Sequence, residues 1–287
     1  MPEVLGLPLV ELAVVAGVAL VLPACGGGRW RWWALVAASA AAAGALDRGS
    51  LPAVALALPW PALAVGRTVV AARAWRSSGP LRVIAGVDAV VAGTWFALSR
   101  AGASPFGIRE PIVVLTAVHF TYAGAGALTL AGAAWALARE RWSRRAAGVG
   151  VALTAAAPPV VATGFVTGAA LAQVGGAVLL SAGVFATAAA QLAEAARGPL
   201  PARARALLAV SGLAVWVPMV LAVGWAAGQH TGVRALSIPD MVRVHGTANA
   251  VGFVGAGLLA RGIAGRTTAK DHVSGSGAGT PARPSAG

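Results

Sequence analysis

Charge is what this sequence has least of. Only 11% of its 287 residues are Asp, Glu, Lys or Arg, whereas a soluble domain carries about 25%. That excludes an ordinary soluble globular protein. Cysteine is almost absent as well: Cys25 stands alone, which excludes an internal disulfide and any thiolate metal cluster. Strand-like alternation is missing, which argues against a membrane β-barrel. There is no Gly-rich phosphate loop, no His-Glu-x-x-His, no Ser-His-Asp spacing and no Asp-rich magnesium motif, so the familiar soluble chemistries of those motifs are not written here.

What the sequence does have is hydrophobic length. Apolar residues make up 58% of the chain and mean hydropathy is +0.77. Repeated apolar runs of about 20 residues predict an all-α, polytopic transmembrane helical bundle. Nine spans are expected, at 4–24, 33–46, 51–71, 83–99, 111–138, 146–166, 169–193, 206–227 and 240–260. The second is short and is expected to form a tight hairpin with the third through Asp47-Arg48-Gly49-Ser50. Together they form one transmembrane domain over 1–266. Residues 267–287, rich in Gly, Ser, Pro and Thr, read as a disordered cytoplasmic tail. Leu22-Pro23-Ala24-Cys25 resembles a lipoprotein processing site, but Glu11 interrupts the preceding apolar stretch and no basic start precedes it, so it reads as an ordinary first span.

The arginines test that count. Of the 22 Lys and Arg residues, seventeen fall in alternate connections: Arg29 and Arg31, 67–82, 139–145, 197–205, and 261 onward. Only Arg48, Arg100, Arg109, Arg234 and Arg243 fall in the others. Positive-inside topology produces such a contrast. It predicts a multi-pass protein of the bacterial cytoplasmic membrane, N-terminus outside and C-terminus inside. It also accounts for the net charge of +13 without nucleic acid.

Polar groups inside spans are costly and mark functional candidates. Two of the four histidines lie in spans, in Val118-His119-Phe120-Thr121-Tyr122-Ala123-Gly124 and Val244-His245-Gly246-Thr247-Ala248-Asn249. Helical rise places His119 about 12 Å, His245 about 8 Å and Glu11 about 10 Å below the outer face. Tyr122 follows His119 at i+3, and Asn249 follows His245 at i+4. These predict a polar pocket opening outward, with Arg109, Glu110, His230 and Asp240 at its mouth. Asp88 sits nearer mid-membrane among Val87, Ala89, Val90 and Val91. A carboxyl there must be paired, wet or protonated.

Glu110-Pro111, His119-Phe120-Thr121-Tyr122-Ala123-Gly124 and His245-Gly246-x-x-Asn249-Ala250-x-Gly252-Phe253 resemble the signatures of the YndJ-like membrane protein family. The resemblance is concentrated in the fifth and ninth spans. The family pattern often has a second histidine where this chain has Thr121. It implies a multi-pass membrane protein; some bacterial relatives look similar to membrane-bound terpene cyclases, and some carry a transporter label.

Three functions compete. A terpene cyclase needs a protonated acid, aromatic faces for carbocations and a dry cavity. Asp88 or Glu11 would supply the acid. Trp95, Phe96, Tyr122, Trp225 and Phe253 would line the site, and His119, His245 or Asn249 would position a prenyl chain drawn from the lipid bilayer. No cofactor or metal is required. A small-solute or metal-ion transporter would use the same carboxyls and histidines as a proton relay, with broken helices near Pro61 or Pro158-Pro159. A haem or metal protein would need the rings of His119 and His245 to converge.

Overall fold

A computed structural model describes residues 7–26, 30–233 and 236–275; Arg29, Arg234 and the end of the expected tail, 276–287, lie outside the described residues. Among the described residues nine long helices follow one another: α1 (Leu9–Gly26), α2 (Trp30–Gly44), α3 (Leu51–Arg73), α4 (Pro80–Arg100), α5 (Ile112–Leu137), α6 (Arg141–Thr167), α7 (Ala170–Arg197), α8 (Ala202–Thr231) and α9 (Ile238–Arg266). No strand occurs among the described residues. Eight of the nine are long and apolar enough to cross a membrane. The exception is α2, which has 15 residues. α9 continues as helix to Gly275, into the stretch expected to be tail.

Punctuation in the sequence explains the boundaries. Ser50 caps α3, its hydroxyl accepting from Ala53 N, with Pro52 in the first turn. Leu58 interrupts α3 just ahead of Pro59 and Pro61, because proline removes a donor and crowds the preceding turn. α6, by contrast, runs through Pro158 and Pro159 as one helix. The nearly apolar α6–α7 connection turns at Gly168, whose φ of 71° suits a residue without a Cβ. α9 opens with a reciprocal capping box between Ser237 and Asp240.

Hydrogen bonds show which connections share an end. Arg67 Nη2 donates to Gly26 O at 3.2 Å, and Arg261 Nη1 to Ala24 O at 2.9 Å. Arg139 N donates to Glu194 at 3.1 Å, and Arg197 pairs with Glu140 at 2.8 Å. The connections expected to be Arg-rich thus gather at one end. At the opposite end Gly49 N donates to Arg100 O at 2.8 Å, tying the α2–α3 turn to the tip of α4, and His230 Nε2 meets Gln173 at 3.0 Å. α2 therefore runs from one end toward the other despite its length, with Ser39 Oγ donating to Leu56 O on its hairpin partner.

Outward faces carry exposed Leu, Val and Trp, and exposed Trp30, Trp32, Trp75 and Trp142 sit at the Arg-rich end, as an interfacial aromatic belt does. The main core joins α1 through α5 with parts of α6 to α9. Small residues let the backbones approach. A Cβ added to Gly93 of α4 would fall 2.8 Å from Pro61 N of α3, and one on Gly183 of α7 would fall 2.9 Å from Leu153 Cβ of α6.

Candidate functional site

The two histidine segments share a backbone feature that residue spacing cannot reveal. Both are π-helical. In α5 the π-helix covers Phe120–Gly126, directly after His119. In α9 it covers Val242–Gly246 and Ala248–Gly255, on either side of Thr247. α1 has one as well, at Gly17–Val21. No other span among the described residues contains one. Such i→i+5 segments are rare and often sit at functional sites. Here they are rich in Gly, whose helix propensity is low.

The three segments meet. A Cβ on Gly126 of α5 would lie 2.9 Å from Val254 Cγ1 of α9 and 3.2 Å from Val21 Cγ1 of α1. Glycine is what allows three helices to touch there. On the same π-helix a Cβ at Gly124 would lie 2.8 Å from Asp88 Cγ, so α4 delivers its mid-span carboxyl against the histidine segment. Asp88 is 7% exposed, and its carboxyl has no hydrogen bond or ion pair among the described residues. Cys25, whose Sγ contacts Ala125 O at 3.4 Å, packs against the same π-helix.

The histidines belong to one neighbourhood. The helices that carry them touch where Gly126 of α5 meets Val254 of α9. His245 Nδ1 meets Pro218 O at 2.7 Å; a carbonyl only accepts, so Nδ1 carries the proton and Nε2 is left with a lone pair. His119 Nε2 is buried with no hydrogen-bond partner. Its ring stands edge-on to Phe120, centroids 6.3 Å apart.

The other candidates divide. Tyr122 is buried, and its hydroxyl donates to Ala13 O of α1 at 3.0 Å. Asn249 turns back on its own helix, donating to His245 O at 2.9 Å. Phe96 and Phe253 lie in the main core with Tyr122, and Trp95 packs against it. Phe96 also meets the fully buried Trp60 at 5.4 Å. Trp225 is half-buried on α8 and belongs to none of the described core clusters.

Glu11 is elsewhere. It is exposed and lines a cavity of about 340 Å³ with Arg48, Arg100 and Phe96, which none of His119, Tyr122, His245 and Asn249 lines. Nor do the residues expected at a pocket mouth form one. Glu110 accepts from Ser99 Oγ and, at 3.2 Å, from Val114 N. Asp240 is spent on its capping box, and His230 on Gln173.

A family model for YndJ-like proteins matches residues 8–253. The chain belongs to the YndJ-like family. No curated protein matches, and no solved structure matches. The family match runs from the start of α1 into α9 and ends at Phe253. It contains the π segments of α1 and α5, all but the last two residues of those in α9, and Asp88.

Two features of this YndJ-like protein escape a reading of its residues. The π-helices are one; Gly and Ala at 17–21, 120–126 and 242–255 are their only trace in the sequence. Arg48 and Arg100 are the other. They stand among the five arginines at the poor end, and that exceptional placement is a signal of its own.

Proposed function

We propose that this protein is an intramembrane enzyme that cyclises a prenyl chain by protonation, with Asp88 as the acid. The observation that carries this reading is Asp88 itself. It is a mid-span carboxyl, 7% exposed, against an apolar helix face, with no partner among the described residues. Such surroundings favour the neutral acid over the carboxylate. Its O–H proton would pass to a terminal alkene carbon or an epoxide oxygen. The π pair of the next double bond would then form the ring bond, moving the cation along the chain. A final C–H proton would return to the carboxylate, making the product an isomer of the substrate. Aromatic faces from Trp95, Phe96, Tyr122 and Phe253 would shield the cation, and His119 would orient the chain. Membranes containing the protein, given farnesyl and geranylgeranyl alcohols or their terminal epoxides, should form isomeric cyclic products. Absence of such products from all of them would exclude the reaction.

One observation favours a second reading. His245 donates through Nδ1 to a backbone carbonyl, as ligating histidines do, and His119 Nε2 is unpartnered on the adjoining helix. A haem or transition metal held between them would leave a Soret band or about one equivalent of metal in washed, purified protein, with tight retention through gel filtration.

The same proposal places the protein in a bacterial cytoplasmic membrane with the Arg-rich end inside. Reporter fusions at Ser50, Gly102 and Gly232 should read outside, and those at Ser78, Ser143 and Pro199 inside. A cytoplasmic signal at Gly102 would overturn the orientation.

A further inference from the structure

Positive-inside topology explains the arginines at one end of the bundle and leaves those at the other unexplained. Two of the unexplained ones, Arg48 and Arg100, line the same cavity. Arg100 is only 5% exposed, and its Nε is buried with no partner. One guanidinium bond is formed, a long one of 3.4 Å from Nη2 to Leu46 O. That bond, with Gly49 N donating to Arg100 O, staples the α2–α3 turn to α4. The staple uses one side of the guanidinium and leaves Nε over. Arg48 reaches only Glu110, at 3.9 Å, and that carboxylate is already engaged by Ser99 Oγ and Val114 N. The cavity wall carries Arg48, Arg100 and Glu11, with Glu110 behind Arg48. Arg100 is the group left short: a buried, incompletely hydrogen-bonded guanidinium is costly, and the oxygens of an anionic head would complete its bonds.

The rest of the wall is hydrocarbon. Val10, Val14, Phe96 and Val114 contribute to it, and Leu12, 63% exposed, stands at its edge. A tail can therefore enter sideways from lipid. The volume of about 340 Å³ lies at the lower end of ligand pockets, enough for one chain. A small inorganic anion would leave the apolar wall unused, and a neutral lipid would leave the arginines unanswered.

We infer that this cavity binds a single-chain amphiphile with an anionic head, a phosphate or carboxylate, held by Arg48 and Arg100, its tail lying along Val14, Phe96 and Val114. The choice of a prenyl tail for the probe rests on the cyclisation reading; the requirement for an anionic head does not.

The test is calorimetry on the full chain in phosphatidylcholine nanodiscs, titrated with farnesyl phosphate, farnesol or inorganic phosphate. Farnesyl phosphate should bind at least tenfold more tightly than farnesol, and inorganic phosphate should give no measurable heat. Arg48→Gln, at a half-exposed side chain, should weaken farnesyl phosphate at least tenfold. Ala41→Phe, at an exposed wall position, should fill the cavity and remove binding. Replacing phosphatidylcholine with phosphatidylglycerol tests a two-chain anionic bilayer lipid at the site: unchanged affinity supports a free single-chain amphiphile, and competition would overturn the single-chain occupant. Equal binding of farnesol and farnesyl phosphate would overturn the inference. So would phosphate binding alone, or binding indifferent to both substitutions. Run with Asp88→Asn protein, which the cyclisation proposal makes inactive, the titration reads binding alone, so its failure is distinct from failure of that proposal.

Discussion

The α6–α7 hairpin and the junction of α1, α5 and α9 are built from the same small residues and behave differently. In the hairpin both helices are α-helical throughout. Most of its hydroxyl bonds run back into their own helices, Thr163 to Pro159 O at 2.8 Å, Ser181 to Ala177 O at 2.8 Å and Thr187 to Gly183 O at 2.9 Å, with Ser181 also reaching Met219 O of α8 at 3.3 Å. Thr154 Oγ1 is the exception, buried without a partner. At the junction every helix is interrupted by a π segment. Polar side chains there include Tyr122 and His245, which reach across to another helix, Thr121 and Asn249, which bond back into their own, and His119 Nε2, which finds nothing. Close packing of small residues is thus common to scaffold and site. What distinguishes the site is the irregular backbone beneath its polar groups.

That contrast can be broken by experiment. The largest effect is expected at Asp88. Asp88→Asn keeps the shape and removes the transferable proton, so product formation should fall about 10²- to 10⁴-fold, the usual worth of a general acid, while the protein still elutes as a folded species. If Glu11→Gln is inactive and Asp88→Asn is not, the acid lies in the arginine cavity and the junction loses its chemistry.

The next effect is on stability. Gly126→Val would force a side chain between α5, α9 and α1, and overpacking of this kind costs about 1–3 kcal/mol. Gly175→Ala in α7 meets open space and should stabilise by up to about 1 kcal/mol from helix propensity. Thermal unfolding in detergent compares them; equal midpoints would mean that the three helices do not depend on Gly126 for their approach.

Smaller still are the cross-helix hydrogen bonds. Tyr122→Phe removes the bond to Ala13 O and should cost about 0.6 kcal/mol, the average for interhelical bonds in membranes. Thr163→Val removes only a bond within α6, at an exposed position, and should change stability less. A larger loss in the hairpin than at the junction would reverse the comparison.

Much of the architecture was legible because hydrophobic length and arginine placement report it directly. All nine helices lie where the apolar runs put them, and the hairpin through Asp47–Ser50 closes as its Ser50 cap and Pro52 suggest. Asp88 was legible as a mid-span carboxyl, and its burial agrees. The site's geometry was not. Spacing along one helix says nothing about what a neighbouring helix offers: Tyr122 is fastened to Ala13 O of α1, while Asn249 stays beside His245 as i+4 spacing suggests, 2.9 Å from its carbonyl. Glu11 was grouped with them by depth, yet depth says nothing about which side of α1 faces which neighbour. The arginine cavity was hidden for a related reason: Arg48 and Arg100 come from connections 52 residues apart, and only the fold of the α2–α3 turn against α4 brings them together.

The short helix α2 has a consequence for the lipid around the protein. Fifteen residues rise about 22 Å, against about 30 Å for a hydrocarbon core. A span that short is met by local thinning of the bilayer, so headgroups on that flank should sit deeper than elsewhere around the bundle. α2 and the turn that follows it supply Ala40, Gly44 and Arg48 to the cavity wall. The dimple thus falls beside the arginines, shortening the path by which a charged headgroup reaches them.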